Sequence, residues 1–286
     1  MQEGGGKPLT EYNVGTIVGK KTKSLNIIVY ATGFKYTDWY KSPIDEVQQI
    51  KDNREIIEKL KNKNVIDGKT AQKLQEKVWC PTTEDFEAAA NLIAGEIKSI
   101  KEEVEVHGAK NMNEFVNIIE QKEGNPRPDH SISTIYIITH GNPAGKHPRV
   151  SFSGKRGARK VSFSGGQDQV TLIEAILTHE GSFVLEKRQT EIIKKKLVQK
   201  QAKIIFYACY SGQGDFLQIV ADKLGVEAQG FSYTIPWFMD PYYYYDKATG
   251  KIIGIAKISR GYVYTDGQPT NPLDLLPDVI KTPKTQ

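Results

Sequence analysis

Ile135-Tyr136-Ile137-Ile138-Thr139-His140-Gly141 and Ile204-Ile205-Phe206-Tyr207-Ala208-Cys209-Tyr210-Ser211-Gly212 decide the reading of this chain. Each opens as an unbroken apolar run rich in β-branched and aromatic residues. Such a run suits a strand buried on both faces, as in a parallel sheet covered by helices. Each run stops at a residue able to do chemistry, with glycine at or near the next position. If the two strands are parallel neighbours, His140 and Cys209 meet at the carboxyl edge of the sheet, where open α/β sheets carry their sites. A thiol beside an imidazole is the minimum equipment for a cysteine nucleophile and its proton acceptor.

Working outward, further elements alternate between the two types. Leu25–Ala31 is the first buried-strand candidate. A polar, helix-favouring region follows at about 43–101, where Phe86, Ala89, Ala90, Ile93 and Ile97 recur at helical spacing. It reads as a helical insertion, restarted at Pro81 with Thr82 or Thr83 as cap. Glu103–Gly108 is a shorter strand, and Asn113–Glu120 a helix with Phe115, Ile118 and Ile119 on one face. Arg149–Ser153 and Lys160–Ser164 share the phrase Val-Ser-Phe-Ser and read as two arms of a hairpin. Helices are expected at about 170–178 and 186–200, and Asp215–Gly225 is a helix with acid at its start and glycine at its stop. A short strand at Val226–Phe231 and a tyrosine-rich hairpin, Tyr242–Tyr245 with 251–257, close the pattern. Strands alternating with helices predict an α/β protein with a mostly parallel sheet flanked by helices. The expected boundaries are a loose segment over 1–23, one domain over 24–265, and a Pro-rich tail over 266–286.

Composition narrows the functional classes. The chain has 286 residues, and a chain of that size buries about 75% of its unfolded surface without a staple. Cys80 and Cys209 are its two cysteines, too few for a disulfide framework and in keeping with reducing conditions. No apolar run reaches about 18 residues, so no membrane span is expected. No signal-peptide pattern opens the sequence, which points to a cytoplasmic protein or a delivered effector. The net charge of +5 is mild. Its basic residues gather at 155–160, read as an exposed loop, and at 187–203, read as a solvated helix face. No aromatic residues interleave them as nucleic-acid stacking would require. Metal is not expected, because no Cys/His cluster has ligand spacing.

The two motifs lie 69 residues apart, enough for a hairpin, a crossover helix and the next strand. A strand ending in His-Gly, followed by one ending in Ala-Cys, resembles the caspase-like cysteine peptidases, a group that includes caspases, metacaspases, legumain, gingipain and clostripain. Tyr207-Ala208-Cys209-Tyr210-Ser211-Gly212 is similar to the Cys-His-Ser-Gly of metacaspases, with Tyr210 at the second position. Gly230-Phe231-Ser232-Tyr233-Thr234-Ile235-Pro236-Trp237 is similar to the Tyr-Ser-Thr-x-Pro-Gly segment of caspases. The resemblance covers roughly 24–240. It implies a caspase-like sheet, a catalytic His140 and a nucleophilic Cys209. Backbone N–H groups of Gly141 and Cys209 would face the oxyanion, and Ser232, Tyr233 and Trp237 would touch substrate. Tyr207 stands where caspases carry a glutamine that lines the specificity pocket. No cofactor is implied, and the partner is a protein or peptide substrate.

The departures set the alternatives. No arginine stands at the end of the first strand to receive an aspartate side chain. A preference for Lys or Arg would need an acidic floor, for which Asp38, Asp215 and Asp240 are candidates. Glu105 and Asp168 are candidates to support the histidine ring. The basic stretches at 155–160 and 187–203 are where self-cleavage is expected. His107 also precedes a glycine at a strand end and competes with His140, whereas His130, His147 and His179 sit in polar loops. Cys80 reads as packing, and Cys209 alone would read as a buried core cysteine. The alternative function is a non-catalytic module of the same fold, binding partner domains within a larger toxin or defence system.

Overall fold

The computed structural model describes residues 25–35, 58, 61–62, 83–122, 124–143, 149–162, 169–198, 201–235, 237, 242–245, 252–256, 261–265 and 268–284. The expected loose start, most of the helical insertion, and Asp38, Cys80, His147, Asp168 and Asp240 lie outside the described residues.

In chain order the elements begin with β1 (Leu25–Ala31), β2 (Gly33–Lys35), α1 (Thr83–Ser99), β3 (Glu103–Ala109) and α2 (Met112–Glu120). A small pair, β4 (Gln121–Lys122) and β5 (Asn125–Pro126), leads to β6 (Ile132–Ile138) and β7 (His140–Gly141). Next come β8 (Val150–Ser151), β9 (Ser153–Ser162), β10 (Gln169–Leu177), α3 (Lys187–Lys196), β11 (Lys203–Tyr207), α4 (Phe216–Leu224) and β12 (Glu227–Gly230). The chain ends with β13 (Tyr242–Tyr245), β14 (Ile252–Ala256), β15 (Val263–Thr265), β16 (Gln268–Thr270), a 3-10 turn at Pro272–Asp274, and β17 (Val279–Lys281).

Six strands form the central sheet in the order β17-β12-β11-β6-β1-β3. The five strands from β12 to β3 run parallel, and β17 joins the edge antiparallel. Consecutive residues of β6 and β11 are buried, as strands covered on both faces must be. Helix α1 packs on β1, β3 and β6, while α2, α3 and α4 pack on one another and reach β3, β12 and β17. The expected apolar stripe of α1 (Phe86, Ala89, Ala90, Ile93 and Ile97) is buried, behind an acidic first turn of Glu84 and Asp85. Asn111 caps α2 by accepting from the Glu114 N–H, and left-handed Gly225 stops α4. The α/β class and the mostly parallel sheet stand as expected.

Three local expectations are overturned. The hairpin expected between 149–153 and 160–164 is not formed by the described residues, which for the second arm are 160–162. Val150–Ser151 pairs back with His140–Gly141, while β9 pairs with β10 and, parallel, with β2. The repeated phrase is coincidence, because pairing follows the ladder partner available and not the likeness of two strings. The helix expected at 170–178 is strand β10. Val170, Thr171, Ile173 and Ile176 are β-branched, and β9 supplies a nine-residue ladder. The Pro-rich tail is built into the fold: Leu273, Leu275 and Val279 pack against the core and β17 extends the sheet.

These corrections also bear on self-cleavage. Residues 155–160 lie in the paired strand β9, not in a loop. Most of 187–203 is α3 and the start of β11. There the Lys196 ammonium is buried on the Arg127 carbonyl and Asp129. Among the described residues, 155–160 are held in a ladder and 187–196 in a helix, so the backbone there is not free for cleavage.

Candidate active site

Strands β6 and β11 are in register, with Ile138 opposite Tyr207. His140 and Cys209 each lie two residues further on, so the two motifs end level at one edge. The Thr139 N–H still donates to the Tyr207 carbonyl, so the ladder continues to the threshold of the site. The sheet order reverses between β1 and β6, the switch point at which open α/β sheets form their crevice. Residues from both sides of that switch meet: the Phe34 ring, just past β1, stands edge-on to His140 at 4.5 Å.

Close approach makes glycine necessary at 141. A Cβ there would stand 2.0 Å from the Cys209 carbonyl oxygen and 3.2 Å from its nitrogen. The backbones of the two motifs are therefore in contact. The turn that follows carries strain. Tyr210 has φ +58, and the Ser211 N–H donates to the Ala208 carbonyl, which closes a tight turn around Cys209. A left-handed non-glycine residue costs about 1–3 kcal/mol and persists only where its surroundings impose it. Here they do: the Tyr210 N–H donates to the Tyr233 carbonyl, and the Gly212 N–H to the Phe231 carbonyl. Buried Ser211 accepts from the Phe231 N–H, Gln213 donates to the Ser232 carbonyl, and the Thr234 hydroxyl donates to Tyr210 Oη.

His140 is 6% exposed. Phe34 and Phe86 contact its ring edge-on, and Trp237 stacks edge-on to Phe86 at 5.9 Å. Strand β7 is anchored through β8, where the Thr139 hydroxyl donates to the Ser151 carbonyl. Cys209 is partly exposed.

The remaining candidates separate. Tyr207 does not line an open pocket. It is 1% exposed, packed on Tyr136 and Phe231, and burial drives its phenol well above the usual range. Glu105 does not reach the histidine. It lies level with Ile135, about 16 Å down the strand direction from His140. There its carboxylate holds Arg127 bidentately and His107 as well. His107 sits on the edge strand three places from β11, about 14 Å to the side, and so is no partner for Cys209. The Nδ1 of His130 pairs with the Leu197 carbonyl, and His179 lines a separate polar cavity of about 320 Å³ between the starts of α2 and α3. Ser232 gives both its N–H and its hydroxyl to Asp278. Tyr233 is exposed on Phe231, and Trp237 is half-buried near His140. Asp215 is exposed at the start of α4.

Reading the sequence missed the residues that shape the site from a distance: Phe34, Phe86, Asp278 and Arg149. Arg149 donates to the Asn142 carbonyl beside the histidine loop, and its guanidinium lies against Gly214 of the cysteine loop. Burial lowers its pKa, with Asp215 acting in the opposite sense. Only the pairing of β7 with β8 brings Arg149 there, and no local pattern announces it. No family model, curated protein or solved structure matches this chain.

Proposed function

We propose that this protein is a cysteine endopeptidase of the caspase-like type, acting through Cys209 and His140. The observation that carries the reading is the contact of Gly141 with the Cys209 peptide, which brings both motifs together at one edge of the sheet. In the reaction the Cys209 thiolate attacks the peptide carbonyl and His140 takes up the thiol proton. The Gly141 and Cys209 N–H groups receive the oxyanion, a role in which one donor is typically worth about 3 kcal/mol of barrier. His140 then protonates the leaving amine, an acyl-enzyme remains, and water hydrolyses it. The strained turn at Tyr210, braced by residues 231–234, supports a nucleophile held in a fixed direction. The phenylalanines around His140 exclude water from one side of the ring.

The test has two arms. Iodoacetamide alkylation of Cys209 should be fast at neutral pH and slowed by His140→Ala, and a peptide library should be cleaved by wild type and not by Cys209→Ala. An inert thiol together with an uncut library would end the proposal. The second reading is a non-catalytic module that binds a partner protein at the same edge. The burial of His140 favours it, since a residue at 6% exposure offers little surface to a substrate.

A further inference from the structure

The β7–β8 pair meets the cysteine loop at two separate points. The first is Gly141, against the Cys209 peptide. The second is Arg149, one residue before β8. Its carbonyl accepts the Asn142 N–H at 2.8 Å, and its Nη1 donates back to the Asn142 carbonyl at 3.0 Å. Main chain and side chain of Arg149 are thus both fixed on the residue that follows His140-Gly141, so the guanidinium moves with that strand. Its Nη2 stands 3.4 Å from where a Cβ of residue 214 would lie, and Gly214 is left-handed at φ +68. Glycine at 214 meets both demands. Gly214 is tied in turn to the nucleophile's turn. The Gln213 N–H donates to the Tyr210 carbonyl, and the Gln213 side-chain amide to the Ser232 carbonyl. Asp215, next along the chain, favours the charged guanidinium.

One contact between two loops leaves a hinge about which they can rotate. A second, offset contact removes that freedom. A guanidinium suits such a strap, because it is planar, charged at neutral pH and presents its donors in a fixed fork. We infer that Arg149 is a positioning residue: its guanidinium spans the histidine loop and the cysteine loop and sets the angle at which the His140 imidazole meets the Cys209 sulfur. Its effect on the thiol runs through His140. The inference rests on the reading of these two residues as a catalytic pair, and it adds the part that keeps them in line.

The main test reads the thiol and needs no substrate. Iodoacetamide alkylation of the full chain is followed against pH, with peptide mapping to separate Cys209 from Cys80. Arg149→Met keeps the aliphatic stem and removes the fork. It should move the Cys209 titration upward and slow alkylation at pH 7 about three- to tenfold, through a smaller thiolate fraction. On the best-cleaved peptide of the library it should lower kcat about ten- to hundredfold and change KM little, as misalignment of reacting groups does. Loss of a positive charge would by itself raise the thiol, so the deciding comparison is made in His140→Ala protein. There Arg149→Met should change the alkylation profile no further. A shift of equal size with and without His140 would overturn the inference and make Arg149 a plain electrostatic neighbour of the sulfur. An unchanged profile with His140 present would overturn it too, while continued cleavage would leave the protease reading standing. Arg149→Lys keeps the charge and loses the fork, so it should show part of the same loss. It carries the test if urea unfolding shows that Arg149→Met has not folded. If wild-type Cys209 titrates as an ordinary thiol and ignores His140→Ala, the catalytic reading and this inference fall together.

Discussion

Gly141 lies against the main chain of Cys209 so closely that no side chain fits between them, with the Cys209 carbonyl oxygen 2.0 Å from the position of a Cβ. The atom in the way is backbone, so it cannot swing aside. Gly141→Ala must push β7 and the Cys209 turn apart. Overpacking of this kind costs about 1–3 kcal/mol, and a displacement of about 1 Å at a reacting centre costs about a hundredfold in rate. The expected result is a modest drop in Tm together with a large loss of peptide cleavage. Calorimetry and kcat/KM on the same preparation measure both, and an alanine variant with wild-type activity would refute the contact.

Removing the imidazole should act on the thiol before it acts on anything else. His140→Ala is expected to slow Cys209 alkylation at neutral pH and to lower cleavage by about 10²–10⁴-fold. The two phenylalanines against its ring make a second, independent point. Phe86→Ala opens a cavity under the ring and should cost about 3–5 kcal/mol of stability. Phe86→Leu should keep the fold and loosen only the ring. A pH profile of alkylation for Phe86→Leu tells orientation from mere folding, since a loosened imidazole alters the thiol's titration and an intact one leaves it alone.

How much of this was legible follows from which interactions are local. The strands ending at His140 and Cys209 could be read because burial on both faces writes an uninterrupted apolar run into the sequence itself. The α1 stripe was legible for the same reason at a different period. The β9–β10 hairpin was misread because Gln169–Leu177 is apolar without a clear period, and its ladder partner is basic and unremarkable. The tail was misread because its four prolines suggest a loose end, whereas its hold is long-range. Val279 fills the space beside Gly212, where a Cβ would stand 2.6 Å from a Val279 methyl. Ser232 was assigned to substrate by resemblance, yet Asp278, 46 residues away, takes its donors.

That last pair gives a prediction of its own. Asp278 fixes the backbone at Ser232, next to Tyr233, whose carbonyl receives the Tyr210 N–H. Asp278→Ala should release this segment and loosen the braced turn. KM is expected to rise more than Tm falls, because the pair is exposed and a water-exposed hydrogen bond contributes little net stability, about 1 kcal/mol. Equal losses in both would instead make Asp278 a plain structural staple.

Away from the site, Glu105 is the residue on which stability should turn. The Arg127 side chain is 1% exposed, and Glu105 holds it through contacts of 2.6 and 3.0 Å, while two more donors reach the Ile118 carbonyl. Glu105→Gln leaves a buried guanidinium without its counter-charge, a change that costs about 3–5 kcal/mol. Urea unfolding should show the loss, with Cys209 alkylation at its normal rate in the folded protein. A loss of thiol reactivity out of proportion to the unfolded fraction would mean that Glu105 does serve His140 after all.

Acid should find a weak point at Asp129. The hydrogen bond from Lys196 holds its carboxyl below the ordinary value of 3.8, with Lys195 adding to the effect. A carboxyl with a lower pKa folded than unfolded stabilises the fold in its charged form. That contribution is complete above the ordinary value and disappears as the pH falls below it through the depressed folded value. Protonation also leaves the Lys196 ammonium, buried at 6% exposure, with the Arg127 carbonyl as its remaining oxygen partner among the described contacts. Asp129→Asn should therefore lower the urea midpoint at pH 7, where wild type has the pair. The gap between the two proteins should narrow as the pH falls below the ordinary carboxyl value, because wild type loses the charge as well. A gap between the two that stays constant from pH 7 to pH 2.5 would assign the loss to the shape of the loop and not to the ion pair.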